Sequence, residues 1–297
     1  MTATYCKRHV RARLTPPLAR FLLLLGVLAP NAASLAAPPL AAQTARAAAA
    51  ATPLDFVAMD YAFRGPSRTA AGLHRIRLSN TGSKLHHVQL IRLDEGKRLG
   101  DVFPILQRNK GLHGLPAWAK PAGGVSAALP GQSIAITQRL AAGRYAVICW
   151  IPTEDGQIHV MKGMMTELEV TAATAQEAAE PVATRRVTLT EYKANWSAPL
   201  ARGRQTLRIE NTGKQSHELL VVRLDPGKSM SDVERWTGTG PAPMEMWTGL
   251  ASIAPGGVAW LDLDVTPGRY AIFCFAPDAR DAKPHAEHGF LQIVDNR

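Results

Sequence analysis

Apolar and polar residues alternate along several stretches of this chain. His74, Ile76 and Leu78 alternate with Arg75, Arg77 and Ser79, and Leu207 and Ile209 alternate with Arg208 and Glu210. Further on, Leu261, Leu263 and Val265 alternate with Asp262 and Asp264. A period of two with one apolar face predicts half-buried strands. The runs Val88–Leu93, Tyr145–Trp150 and Tyr270–Phe275 are apolar almost throughout, as central strands are. Asn80-Thr81-Gly82, Pro130-Gly131 and Pro267-Gly268 are turn signals between them. Short helical segments are expected at Asp101–Gln107 and Ser231–Trp236, where Asp101 or Ser231 can cap. Strands of this length and spacing predict an all-β antiparallel sandwich.

The pattern occurs twice. NTGSKLHHVQLIRLDEGK at 80–97 matches NTGKQSHELLVVRLDPGK at 211–228, an offset of 131. That offset also sets Asp60 on Glu191, Tyr61 on Tyr192 and His86 on His217. A second stretch matches at an offset of 125, setting Pro130 on Pro255, Tyr145 on Tyr270 and Cys149 on Cys274. One added residue then aligns His159 with His285 and Gly163 with Gly289. The chain therefore divides into a first copy at 52–172 and a second at 184–297, joined by a small, polar linker at 173–183. The polar joint predicts that each copy has its own core and that 184–297 folds alone as a monomer.

The amino end differs from the rest. Lys7, Arg8, Arg11, Arg13 and Arg20 precede the apolar run FLLLLGVL at Phe21–Leu28, and small residues follow. That layout predicts a secretory signal peptide over 1–42, then an Ala-rich disordered stretch at 43–51. Export to the periplasm or cell exterior follows, with no membrane span once the signal is removed. Those five basic residues account for half of the +10 formal charge. The remaining chain has no dense basic run with interleaved aromatics, so nucleic-acid binding is not expected.

The candidate chemistry lies at matched positions. Each copy has the order His, Cys, His: His86, Cys149 and His159, then His217, Cys274 and His285. Met164 follows in the first copy, and Phe290 stands at its place in the second. His87 has no match, since Glu218 stands opposite it, which makes it a weaker ligand candidate. His74 and His113 are also unmatched and read as surface residues, whereas His288 could replace His285. Either Cys could instead be a buried small hydrophobe, and export permits a disulfide between them.

A His after an Asn-x-Gly turn, a Cys ending a Tyr-initiated strand, a His, then Gly-Met opening a last strand resembles the cupredoxin, or blue copper, family. The resemblance implies two tandem Greek-key cupredoxin-like β-sandwiches behind a signal peptide. It also implies a type 1-like copper held by His86, Cys149, His159 and Met164, with His217, Cys274 and His285 as a second set lacking the thioether. Nine residues separate Cys149 from His159 and ten separate Cys274 from His285, more than the family usually has. Loop closure costs grow only slowly with length. One thiolate, two imidazoles and a weak axial thioether suit copper that cycles between two oxidation states.

The resemblance thus implies an exported electron carrier or copper handler, working with a redox partner protein or a copper donor or acceptor. A metal-free binding module of the cell envelope is the alternative. An enzyme of the two-domain multicopper type is not expected, because such enzymes need paired His-x-His motifs and this chain has none.

Overall fold

A computed structural model describes residues 50–173, 178–236 and 240–296, which belong to one unit spanning Ala47–Arg297. The expected signal peptide, residues 43–49 and linker residues 174–177 lie outside the described residues.

Between 52 and 171 run the strands β1 (Thr52–Met59), β2 (Ala62–Arg64), β3 (Arg68–Ala70), β4 (Gly72–Asn80), β5 (His86–Leu93), β6 (Ala119–Ala128), β7 (Ser133–Leu140), β8 (Gly143–Ile148) and β9 (Met165–Thr171). From 185 onward come β10 (Arg185–Thr190), β11 (Lys193–Trp196), β12 (Gly203–Asn211), β13 (His217–Leu224), β14 (Met244–Ile253), β15 (Val258–Val265), β16 (Gly268–Phe273) and β17 (Leu291–Asn296). Helix α1 (Leu99–Asn109) follows β5, and α2 (Met230–Arg235) follows β13. The acidic caps sit at the third helical residue: Asp101 accepts the Arg98 N–H and Asp232 the Ser229 N–H, both at 2.8 Å.

The fold is an all-β sandwich of two sheets, and each copy contributes strands to both. Most neighbouring strands are antiparallel, but the first strand of each copy pairs parallel with the next long one: β1 with β4 and β10 with β12. That pairing comes from a strand returning across the sandwich, which a period-two pattern does not report.

The two copies are joined along both sheets. One sheet runs β11-β10-β12-β15-β7-β4-β1-β2 and the other β17-β16-β13-β14-β6-β5-β8-β9-β3. At the joints each strand meets its own counterpart: Val125 pairs with Leu250, and Ile136 pairs with Leu261. Under the repeat offset of 125 these are equivalent residues, so a pseudo-twofold axis passes through both pairs. Gln89 locks the joint, donating to the Ser252 carbonyl at 2.8 Å and accepting the Ser252 N–H at 2.9 Å.

The core follows the same plan. One cluster between the sheets holds Leu54, Ile76, Val88 and Leu90 together with Leu207, Ile209, Leu219 and Val221. The copies therefore share a core, contrary to the separate cores expected from the polar linker. Outside the sheets, α1 covers Ile91 and Leu93 with Val102 and Leu106, and α2 covers Val222 and Leu224 with Met230 and Val233.

Two matched glycines let each joint strand approach its neighbour within its own copy, β6 to β5 and β14 to β13. Gly124 has φ +111° and Gly249 φ +150°. A Cβ on Gly249 would stand 2.0 Å from the Leu219 carbonyl oxygen, and one on Gly124 2.2 Å from that of Val88. Gly249→Ala is expected to cost about 3 kcal/mol or more, read as a lowered midpoint in chemical denaturation.

Candidate metal centre

Strand β5 begins at His86, directly after the Asn80-Thr81-Gly82 turn. Asn80 fixes that turn by donating to the carbonyls of Lys84 at 2.7 Å and Ala128 at 2.8 Å. Asn211 repeats this in the second copy, donating to Gln215 and Ile253 at 2.8 Å. Cys149 follows the end of β8. The chain then loops out and returns to a short 3₁₀ turn at His159–Lys162. The Val160 N–H donates to the Cys149 carbonyl at 2.7 Å, and the Cys149 N–H donates to the Met164 carbonyl at 3.1 Å. The nine-residue loop thus brings His159 back to Cys149.

The donor atoms of His86, Cys149 and His159 lie within 4.8 Å of one another, and all three residues are buried. The two Nδ1 atoms are 3.1 Å apart, and His159 Nδ1 is 3.4 Å from the Cys149 sulfur. Met164 is fully buried and is bonded through its backbone to both His159 and Cys149. Donors that share one ion at bonds of about 2.0–2.3 Å stand roughly 3.3–3.8 Å apart, so this spacing suits a single cation.

The second copy repeats the arrangement. His217, Cys274 and His285 form an equivalent buried group, with His285 Nδ1 3.5 Å from the Cys274 sulfur. The Glu218 N–H donates to that sulfur at 3.2 Å. Phe290 is fully buried and its ring packs on His217 with centroids 5.7 Å apart. Both nitrogens of His217 and Nε2 of His285 are buried without a hydrogen-bond partner among the described residues. Imidazoles without other partners converging on a buried thiol are a donor set that suits a soft metal ion. His288 does not replace His285: it bonds Asp281 at 3.1 Å instead. His87 stays outside the triad but touches it, its Nδ1 3.1 Å from the Cys149 sulfur. Cys149 and Cys274 are each free of a disulfide. His74 is buried, not a surface residue, because it closes the β3–β4 turn with bonds at 3.0 Å to Thr69 and the Gly72 carbonyl.

Burial sets the protonation states. It pushes the Cys149 thiol up to about 12, against backbone N–H groups of His87 and Ile151 that favour the thiolate. The Cys274 thiol moves further in the same direction. Burial also lowers His159 to about 4, helped by the neighbouring His86, and lowers His217 to about 4. The imidazoles are thus neutral and ready to ligate at pH 7, whereas each thiol must give up a proton to do so.

The matching of Asp60-Tyr61 with Glu191-Tyr192 was visible in the repeat, but their role was not. Each dipeptide forms the tight turn of the first hairpin, and each Tyr has a positive φ, +65° and +61°. A left-handed conformation costs a bulky residue about 1–2 kcal/mol. In return each Tyr ring meets the second histidine edge-on: Tyr61 on His159 at 5.1 Å and Tyr192 on His285 at 5.5 Å. Asp60 also holds His86, accepting from Nε2 at 3.0 Å, which leaves Nδ1 free as acceptor toward the centre. Burial would raise Asp60, but hydrogen bonds from Ser83 and His86 outweigh it and hold the carboxyl at about 2. In the second copy Glu191 accepts the Lys214 N–H instead, and the carboxylate near a ligand histidine is Asp278, 3.7 Å from His285 Nε2. The first centre is thus oriented by a hydrogen-bonded carboxylate, whereas in the second Asp278 stands near His285 without bonding it.

Depressed imidazoles make the fold acid-sensitive. The unfolded chain takes up these protons near 6.5, and the folded chain only nearer 4. Between those values the unfolded state holds more protons, so stability falls as pH drops through the window. The metal-free protein is expected to lose at least about 5 °C in Tm between pH 7 and pH 4.5 by calorimetry.

No protein-family model matches the chain, and no curated protein matches it in sequence. Among solved structures, a multicopper oxidase is similar at 15% identity and TM-score 0.25, over 82% of this chain and 88% of its own. An auracyanin from Roseiflexus castenholzii aligns at 19% identity and TM-score 0.29, over 41% of this chain and 99% of its own. A copper nitrite reductase from Nitrosomonas europaea aligns at 17% identity and TM-score 0.23, over 84% of this chain and 94% of its own. These likenesses extend no further than the fold.

Proposed function

We propose that this is an exported, non-enzymatic copper protein that carries electrons or hands on copper through a centre in its first copy. His86, Cys149 and His159 would hold the metal, with Met164 as the weak axial partner. The carrying observation is the buried convergence of two imidazole Nδ1 atoms and one thiol in the first copy, at 3.1 Å between the nitrogens and 3.4 Å from His159 to the sulfur, with an equivalent buried His-Cys-His group in the second. Copper would supply reversible one-electron chemistry and hold the thiolate that burial otherwise disfavours. The chain's own contribution is rigidity and dryness. Asp60 and Tyr61 clamp the two histidines, and the sandwich core keeps water away.

The periplasm or cell exterior is the proposed location, on the strength of the amino-terminal pattern. No helix among the described residues is long and apolar enough to cross a membrane. A protein partner that gives or takes electrons or copper is part of the same reading.

Titration of the reduced mature chain with Cu(II), and separately with Cu(I), tests it. One tight Cu(II) per chain with an intense visible thiolate band is expected, plus a second site that prefers Cu(I). Because each thiol releases a proton on binding, apparent affinity should rise about tenfold per pH unit between pH 5 and 8. A chain that takes up neither oxidation state would leave the metal-free binding module as the function.

A further inference from the structure

Two histidines stand side by side at the start of β5. In a regular strand His86 and His87 would point to opposite faces. The pairing of β5 with β6 shifts register between them and Val88, which makes His87 the bulged residue. Bulges re-aim a side chain and are frequent beside functional sites. Here both rings come near one thiol, and His87 Nδ1 lies 3.1 Å from the Cys149 sulfur. His87 does not join the donors that lie within 4.8 Å of one another, so it meets the sulfur from outside the triad. Trp150 packs against its ring edge-on, with centroids 5.7 Å apart.

The second copy repeats the bulge, between His217 and Leu219, but not the ring. Glu218 stands there and reaches the Cys274 sulfur through its backbone N–H at 3.2 Å. The backbone N–H of the bulged residue thus serves both sulfurs, whereas the side-chain contact belongs to the first copy alone.

The surroundings decide where His87 carries its proton. Its Nε2 is buried without a hydrogen-bond partner among the described residues. A proton there would be an orphaned buried donor, which folded proteins rarely keep. On Nδ1 the proton has the sulfur as its acceptor, and a thiolate can only accept. We infer that His87 donates its Nδ1–H to the Cys149 thiolate and thereby raises the reduction potential of the first centre above what its ligands alone would set. The inference rests on the copper reading given above. Hydrogen bonding around the cysteine sulfur tunes the potential of such centres. A donated proton draws charge from the sulfur, weakens its donation to Cu(II), and so favours Cu(I). His87 acts through the thiolate, not as a ligand.

Leu sets a methyl group where Nδ1 stands and Asn sets an amide there, so the two variants separate the hydrogen bond from packing. His87→Leu is expected to shift the ratio of Cu(I) to Cu(II) affinity about tenfold toward Cu(II), a drop of about 59 mV in potential. The visible thiolate band should move to longer wavelength, because the sulfur lone pair is no longer stabilised. His87→Asn should restore both quantities to near their wild-type values. A third measurement needs no variant: nitrogen NMR of the wild-type Cu(I) form should place the His87 proton on Nδ1. The inference is overturned if His87→Leu takes up copper with the wild-type potential and band, if His87→Asn shifts as far as His87→Leu, or if the proton sits on Nε2. Wild-type protein that takes up no copper would overturn the copper reading instead, and this inference would fall with it.

Discussion

Cys149→Ser is expected to remove the visible thiolate-to-copper band completely and to weaken Cu(II) binding more than about a hundredfold, beyond what changes in outer-shell partners cost. Cys274→Ser should leave that band in place. The two thiols stand in equivalent positions, so the difference must come from their surroundings. In the first copy Asp60 fixes His86 at 3.0 Å, and Met164 would be the weak axial partner of a bound copper. In the second, His217 has no hydrogen-bond partner among the described residues, and Phe290 packs against its ring. An apolar axial side without a carboxylate on the first histidine favours Cu(I) over Cu(II). Absorption spectra and metal analysis of the two variants settle the ranking. A band that survives Cys149→Ser undiminished and vanishes in Cys274→Ser would reverse it.

Residues 184–297 expressed alone are expected to form a homodimer or to aggregate, not to persist as a monomer. The fragment would uncover β14 along one sheet and β15 along the other, each with unpaired backbone groups beside apolar side chains such as Leu250 and Leu261. Exposed edges of this kind pair with other chains. The joint in the whole protein already sets Leu261 against its equivalent Ile136, so a second fragment can take the place of the first copy. Light scattering over a concentration series measures this. A monodisperse, folded monomer at 100 µM would show that each copy is self-sufficient, at roughly the concentration where weak dimers form.

These results divide what was legible in the chain from what was not. The alternation at 74–79 and 261–265, the turn at Asn80-Thr81-Gly82 and the matched His and Cys residues are local or nearly local patterns, and they determined the strands, the duplication and the metal-ligand candidates. Side-chain period and turn chemistry act within a few residues, so the sequence states them directly. The return of His159 across nine intervening residues to lie 3.4 Å from the Cys149 sulfur was decided by the backbone bonds of the loop. His285 and His288 lie on one 3₁₀ turn, and only the fold shows that His285 meets the Cys274 sulfur while His288 turns to Asp281.

The burial of His74 depended on a turn between two short strands that the period-two pattern does not mark. The polar linker suggested two independent cores, yet the copies share one. A linker reports only that the chain crosses solvent there, and says nothing about which strand edges meet afterwards. Val125 against Leu250 and Gln89 against Ser252 are contacts between residues more than a hundred positions apart. Such contacts exist only once both sheets have formed and their open edges have found each other, which is why the tertiary structure alone decided them.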